Sequence, residues 1–245
     1  MKKLICMMCL LMVGLVPVST FAENFSVRNG ITFGMTFEET KKIDQIEEGN
    51  YTFGKDLSND ELGIQDGRLE DGSVAYRFTD RIGEKYMDVY YIFDPDDNGL
   101  NSIIYYDYCP SFSPYESERE IIENNDKILQ DRYASTSCGG YVAMRSSMFR
   151  QILKAYETVS HPVIEKRDFE YNQFLVPYDD CYAEIEHLII TDTLDGSFNG
   201  QSYDGKYWIY EYIIYTRVDK ETASEFITEK AREQMEIENS KKNDF

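Results

Sequence analysis

The stretch YYIFDPDDNGLNSIIYYDY, Tyr90 to Tyr108, has two readings. Its centre, D-P-D-D-N-G, sets Asp94, Asp96, Asn98 and Gly99 where positions 1, 3, 5 and 6 of a calcium loop fall. Its flanks are rich in Tyr and Ile, as strands are. A helix–loop–helix calcium site needs a bidentate acid at position 12, and counting from Asp94 that position is Tyr105. The segment after the loop is aromatic and β-branched rather than helical. Asp, Asn and Gly close a tight turn through local hydrogen bonds and by accepting positive φ. The stretch therefore reads as two adjacent antiparallel strands joined by a turn. A weak calcium contact through Asp94, Asp96 and Asn98, of the kind found in extracellular modules, is the alternative.

Outward from this hairpin the chain alternates helix and strand patterns. Thr36 with Glu39 three residues later forms a capping box and predicts a helix over 37–47, ended by Gly49. Strands are predicted at SVAYRFT, YMDVYYIF and LNSIIYYDY. The order then restarts. YESEREIIENNDKILQDRYA has helical spacing at Ile121, Ile122, Ile128 and Leu129, and a second helix runs from Val142 to Thr158. Strands return at FEYNQFLVP, CYAEIEHLIIT and KYWIYEYIIYTRV, and a charged helical tail begins at Lys220. Tyr86-x-x-Val89-x-x-Ile92 aligns with Tyr182-x-x-Ile185-x-x-Leu188, and Ile103-Ile104-Tyr105 with Ile213-Ile214-Tyr215, as an internal duplication would. The expected fold class is α+β. Two tandem units, 23–112 and 113–219, each pack helices on an antiparallel sheet, and a helical tail occupies 220–245.

The first 22 residues have another purpose. Lys2 and Lys3, the apolar run Leu4 to Val16 and the small residues before Ala22 form a Sec signal of bacterial layout, cleaved after Ala22. The run is too short for a permanent membrane span. A secreted or extracytoplasmic location follows. Cleavage leaves 23 Lys and Arg against 45 Asp and Glu, a net charge of about −22. Such a surface repels nucleic acid and anionic membranes and favours a basic protein partner. Cys109, Cys138 and Cys181 remain, and an oxidising destination predicts one disulfide among them.

Catalytic signatures are sparse. The mature chain lacks G-x-S-x-G, H-E-x-x-H, G-x-x-x-x-G-K-[ST] and S-x-x-K motifs. The SCGG segment, Ser137 to Gly140, reads as a linker carrying half a disulfide, with a nucleophile near a helix start as the alternative. His161 sits at a helix end and His187 mid-strand, as a core histidine. No enzyme is expected; a hydrolase with an unrecognised site is the competing reading.

Strand alternation supplies the expected function. Asp88, Asp107, Glu184, Glu186 and Glu211 mark one face of each strand as wet. That assigns Tyr86, Tyr90, Ile103, Tyr105, Tyr182, Ile209, Ile213 and Tyr215 to an exposed tyrosine–acid face suited to protein recognition. Trp208, Tyr210, Tyr212 and Ile214 fall beneath the helices.

The segment ITFGMTFEETKKI, Ile31 to Ile43, resembles the opening motif of the SmpA/OmlA (BamE-like) outer-membrane assembly lipoproteins, with Thr40 where Val is usual. LQDRYASTS, Leu129 to Ser137, is similar to the L-x-x-x-Y-G-x-P ending of the helix that opens the second unit in proteins of β-lactamase-inhibitor-protein architecture. The resemblance implies tandem helix-and-sheet units, no cofactor and a non-catalytic, protein-binding role in or outside the cell envelope. It carries over no inhibitory residue.

Overall fold

A computed structural model describes residues 28–82, 85–110, 115–133, 147–158, 160–178, 181–225 and 227. Residues 1–27, which hold the expected signal segment, Cys138 and most of the expected tail lie outside them. One antiparallel sheet dominates. Its strands are β1 (Thr52–Phe53), β2 (Val74–Ile82), β3 (Lys85–Phe93), β4 (Leu100–Pro110), β5 (Ile164–Tyr178), β6 (Cys181–Leu194) and, after a small β7–β8 hairpin (Ser197–Phe198, Gln201–Ser202), β9 (Lys206–Asp219). The spatial order is β1-β2-β3-β4-β9-β6-β5. Among the described residues α1 (Phe37–Ile43), α2 (Tyr115–Tyr133) and α3 (Ser147–Thr158) accompany it, and the chain turns helical again from Lys220.

Local chemistry fixes most element ends. The Thr36 amide donates to Glu39 Oε2 at 2.8 Å, one arm of the capping box, and α1 starts at the next residue. It stops at Ile43 rather than running to residue 47, because Asp44 turns inward. The Arg28 guanidinium donates to the Asp44 carboxylate at 2.6 Å, and the Tyr91 hydroxyl bonds the same oxygen. The D-P-D-D-N-G segment is a turn. Asp94 N–H donates to the Gly99 carbonyl, Asp94 Oδ1 accepts from the Asp96 amide, and Asn98 adopts a φ of 57°. These features account for the residue types at Asp94, through its side-chain bond, and at Asn98, through its positive φ.

The expected two-unit α+β fold is overturned. Six strands of 9 to 15 residues form one continuous sheet, and the three helices have 7, 19 and 12 residues. The meanders β2-β3-β4 and β5-β6-β9 join along β4 and β9, from Ser102↔Thr216 to Pro110↔Trp208. The aligned triplets meet across this seam, Ile104 opposite Ile214 and Tyr105 opposite Ile213. α1 and α2 lie over one face and α3 over the other.

Cross-strand pairs define the two faces. The first carries Val89, Tyr91, Ile103, Tyr105, Ile213, Tyr215 and Ile185, and packs against Phe33, Phe37 of α1, and Leu129 and Tyr133 of α2. The second carries Tyr90, Ile92, Ile104, Tyr212, Ile214 and Leu188. It packs against Leu57, Leu62 and Ile64 of the preceding loop and Met148, Phe149, Ile152 and Tyr156 of α3. Gly67 secures that loop: its amide donates to the Leu57 carbonyl at 2.7 Å and its carbonyl accepts from Ala75 at 2.8 Å.

Two measurements check this architecture. Expressed separately, 23–112 and 113–219 will each lack a cooperative urea transition, because each leaves one strand of the seam unpaired. Gly67→Ala will lower stability by about 2 kcal/mol or more in urea unfolding. Its φ is +73° and an added Cβ lies 2.4 Å from the Gly54 nitrogen.

Candidate recognition surface

The tyrosine–acid face expected from alternation is not a surface. Tyr90, Ile103, Tyr105, Ile209, Ile213 and Tyr215 are buried. They also divide between faces: Tyr90 pairs with Ile104, so Tyr105 shares its face with Val89 instead. The second half shows the same offset. Ile185 opposes Tyr215, which places Glu184 and Glu186 on the face away from Glu211. Tyr182 is half-buried at the far end, against Leu175 and Val218. Only Tyr86, 71% exposed, stands in water as expected.

The inference failed because three of the marker charges, Glu184, Glu186 and Glu211, are themselves buried, and Asp107 is half-buried against Lys85. Glu211 accepts from His187 Nε2 at 2.9 Å and from Asn125 Nδ2 at 2.9 Å. His187 Nδ1 lies 3.1 Å from Asp126 of α2, whose carboxylate also accepts from Asn172 and Gln130. Along the same face Lys85 donates to Asp107 at 2.8 Å and reaches Glu118 of α2 at 2.9 Å. Burial opposes charging of His187, but its hydrogen bonds to Asp126 and Glu211 outweigh it and raise the pKa to about 9. The imidazolium therefore donates from both nitrogens and ties α2 to the sheet. On the opposite face, burial and the neighbouring Glu186 push Glu184 up to about 8.

The disulfide expectation is corrected in part. Cys109 opposes Ile209 and Cys181 opposes Asp219. These partners stand at opposite ends of β9, roughly 33 Å apart at strand rise, so Cys109 and Cys181 do not pair. Among the described residues no group of three His, Cys, Asp or Glu side chains is arranged to hold a metal, and no helix is long and apolar enough to cross a membrane.

Of the six exposed aromatic rings among the described residues, Tyr86, Tyr108, Phe169 and Phe198 lie toward one end of the face that carries α3, while Phe53 stands on β1 and Tyr171 beside Phe149 of α3. Tyr86 and Tyr108 occupy that end on β3 and β4. Tyr108 stacks on Tyr210 of β9, ring centroids 5.0 Å apart. Beyond Tyr210 along the strand lies Trp208, the single tryptophan of the chain, with Tyr203 and His161 edge-on to it at 6.0 and 5.3 Å. Phe198 of the β7–β8 hairpin packs edge-on against His161 at 4.9 Å. Phe169 follows on β5. Tyr108, Phe169 and Phe198 are 42%, 39% and 38% exposed. α3 ends here: the Tyr156 carbonyl accepts from Arg167, whose guanidinium also grips the buried Asp192 at 2.5 and 2.7 Å. The end of α3, the turn after it and β5 enclose a groove of about 290 Å³ lined by Tyr156, Glu157, Ser160, His161, Arg167 and Phe169.

Sequence reasoning missed this surface. It placed Trp208 and Tyr210 under helices; Tyr156 of α3 does reach Tyr210, edge-on at 4.9 Å, whereas Trp208 meets His161 and Tyr203, and both rings are half-buried. One signal was available: Phe198 is a bulky apolar residue inside the polar turn DGSFNGQSYDG.

No protein family, curated protein or solved structure matches this chain. The likeness of Ile31–Ile43 to the envelope lipoproteins thus stands on those residues alone.

The His187 network has a testable pH signature. A histidine raised from about 6.5 to about 9 on folding contributes fully below pH 6.5 and loses its contribution as pH rises through 9. His187 will account for about 3 kcal/mol of the fall in wild-type stability in urea across that window, on top of the fall that Glu184 causes up to pH 8. His187→Ala will be less stable at pH 6 by a similar amount, and its profile from pH 6.5 to 9 will be shallower than wild type's by that amount.

Proposed function

We propose that this chain is an exported, non-catalytic binding protein that recognises a protein partner through the aromatic end of its sheet. The observation that carries this reading is the grouping of Tyr86, Tyr108, Phe169 and Phe198, all exposed, around the half-buried Trp208 and a groove. Exposed large apolar side chains are costly when clustered, and clusters of Tyr, Trp and Phe with polar rims mark recognition surfaces. Tyr and Trp give contact area at little conformational cost. The rings here are held by stacking and edge contacts, which orders them before binding.

The non-catalytic part of the reading rests on how the chemistry-bearing groups are used. His187 is buried with both nitrogens engaged, Asp192 and Arg167 satisfy each other, and the Cys109 thiol is raised to about 12 by burial and by Glu118. None is poised as a base or nucleophile toward solvent.

Photo-crosslinking from this surface in extracts of the producing cells tests the reading. The triple variant Tyr86→Ala, Tyr108→Ala, Phe169→Ala will keep its melting temperature within a few degrees and lose about 90% of the crosslinked partner. A triple variant that captures the same protein as efficiently as wild type would overturn the assignment.

A further inference from the structure

We infer that the groove beside Trp208 takes an extended basic segment of the partner, with Arg or Lys side chains laid over the aromatic rings between carboxylates. The inference rests on the binding role proposed for this surface and adds the chemistry of its occupant. The bases around the groove are already engaged: Arg167 with Asp192 and the Tyr156 carbonyl, Lys166 with Asp168 at 2.7 Å, and Lys206 with the Ser202 carbonyl at 2.7 Å. Glu157 and Glu165 face water beside the same groove, and Asp195 and Asp204 are exposed on the hairpin side. The local surface is therefore net acidic, and the whole chain carries −20. Ring faces attract cations through their quadrupoles, most strongly for Trp and Tyr. This surface already binds one cation in that way, since Lys206 Nζ lies 5.4 Å from the Tyr203 ring centre. An anionic or neutral segment would gain the ring contact and forfeit the carboxylates. An Arg-bearing segment uses both, and long-range attraction to the acidic chain speeds its arrival. The groove runs beside β5, the outermost strand of the sheet, so an extended segment has room along its length.

Trp208 makes the test site-specific, because its fluorescence reports on this surface alone. The full mature chain is titrated with a short peptide of alternating Arg and Gly, and with matched Glu-Gly and Ser-Gly peptides, while calorimetry measures total binding. The expected result is a saturable change in Trp208 emission with the Arg-Gly peptide only, weakened about tenfold between low and high salt. Glu157→Gln with Glu165→Gln will weaken it about fivefold, and Tyr108→Ala with Phe169→Ala about tenfold, with melting temperatures held. Heat without a change in Trp208 emission, or binding indifferent to the aromatic variants, would mean diffuse attraction to an acidic surface and would overturn the inference. An equal response to the Ser-Gly peptide or to a neutral oligosaccharide would overturn it as well. If the basic peptide fails while crosslinking to a partner still depends on Tyr86, Tyr108 and Phe169, the binding role stands and the basic occupant alone falls.

Discussion

The antiparallel seam between β4 and β9 is the constraint on which the rest of the molecule depends. It joins strands more than ninety residues apart in the chain and turns two meanders into one sheet. Bringing such distant segments together carries a loop-closure cost that local turns avoid. What offsets it is burial on both sides of the seam: Ile104 and Ile214 on one face, Tyr105, Ile213 and Tyr215 on the other. Once the seam is set, neither face can remain in water. α1 and α2 cover one, and the 57–69 loop with α3 covers the other.

That double covering explains the composition. A sheet wet on one side alternates cleanly between apolar and polar residues, whereas here both faces are largely apolar or aromatic. The polar residues that do enter come with partners. Asp44 is met by Arg28 and Tyr91, Glu211 by His187 and Asn125, and Asp192 by Arg167. Such groups contribute to specificity more than to net stability, since each charge must be withdrawn from water. α2 shows the consequence. It buries Ile122, Leu129 and Tyr133, and otherwise meets the sheet through Glu118, Arg119, Asn125 and Asp126.

Much of the local structure was legible in the sequence. The six long strands fall within a few residues of where aromatic and β-branched runs put them, the Thr36–Glu39 pair marked the start of α1, and the Asp94 turn follows from its own side chains. What failed was non-local. Alternation within a strand groups residues by face correctly, but it does not say how one strand's faces match the next; a one-residue offset interchanges them all. Charge then misled, because Glu184, Glu186 and Glu211 read as solvent markers when their partners are far away in sequence. The exposed aromatic end was hidden for the same reason. Trp208 lies on the face that α3 covers, and only the length and docking of α3 decide that the cover reaches Tyr210 and stops there.

One feature of the topology bears on how the molecule comes into being. Among the described residues β9 is the last strand in chain order, yet it occupies an interior position, flanked by β4 and β6. Until residue 219 has emerged, a nascent chain holds two incomplete meanders, each with an aromatic edge and no neighbour to bond it. Cooperative assembly must wait for β9, and chaperones would meet a chain whose stickiest borders are the ones that end up deepest inside.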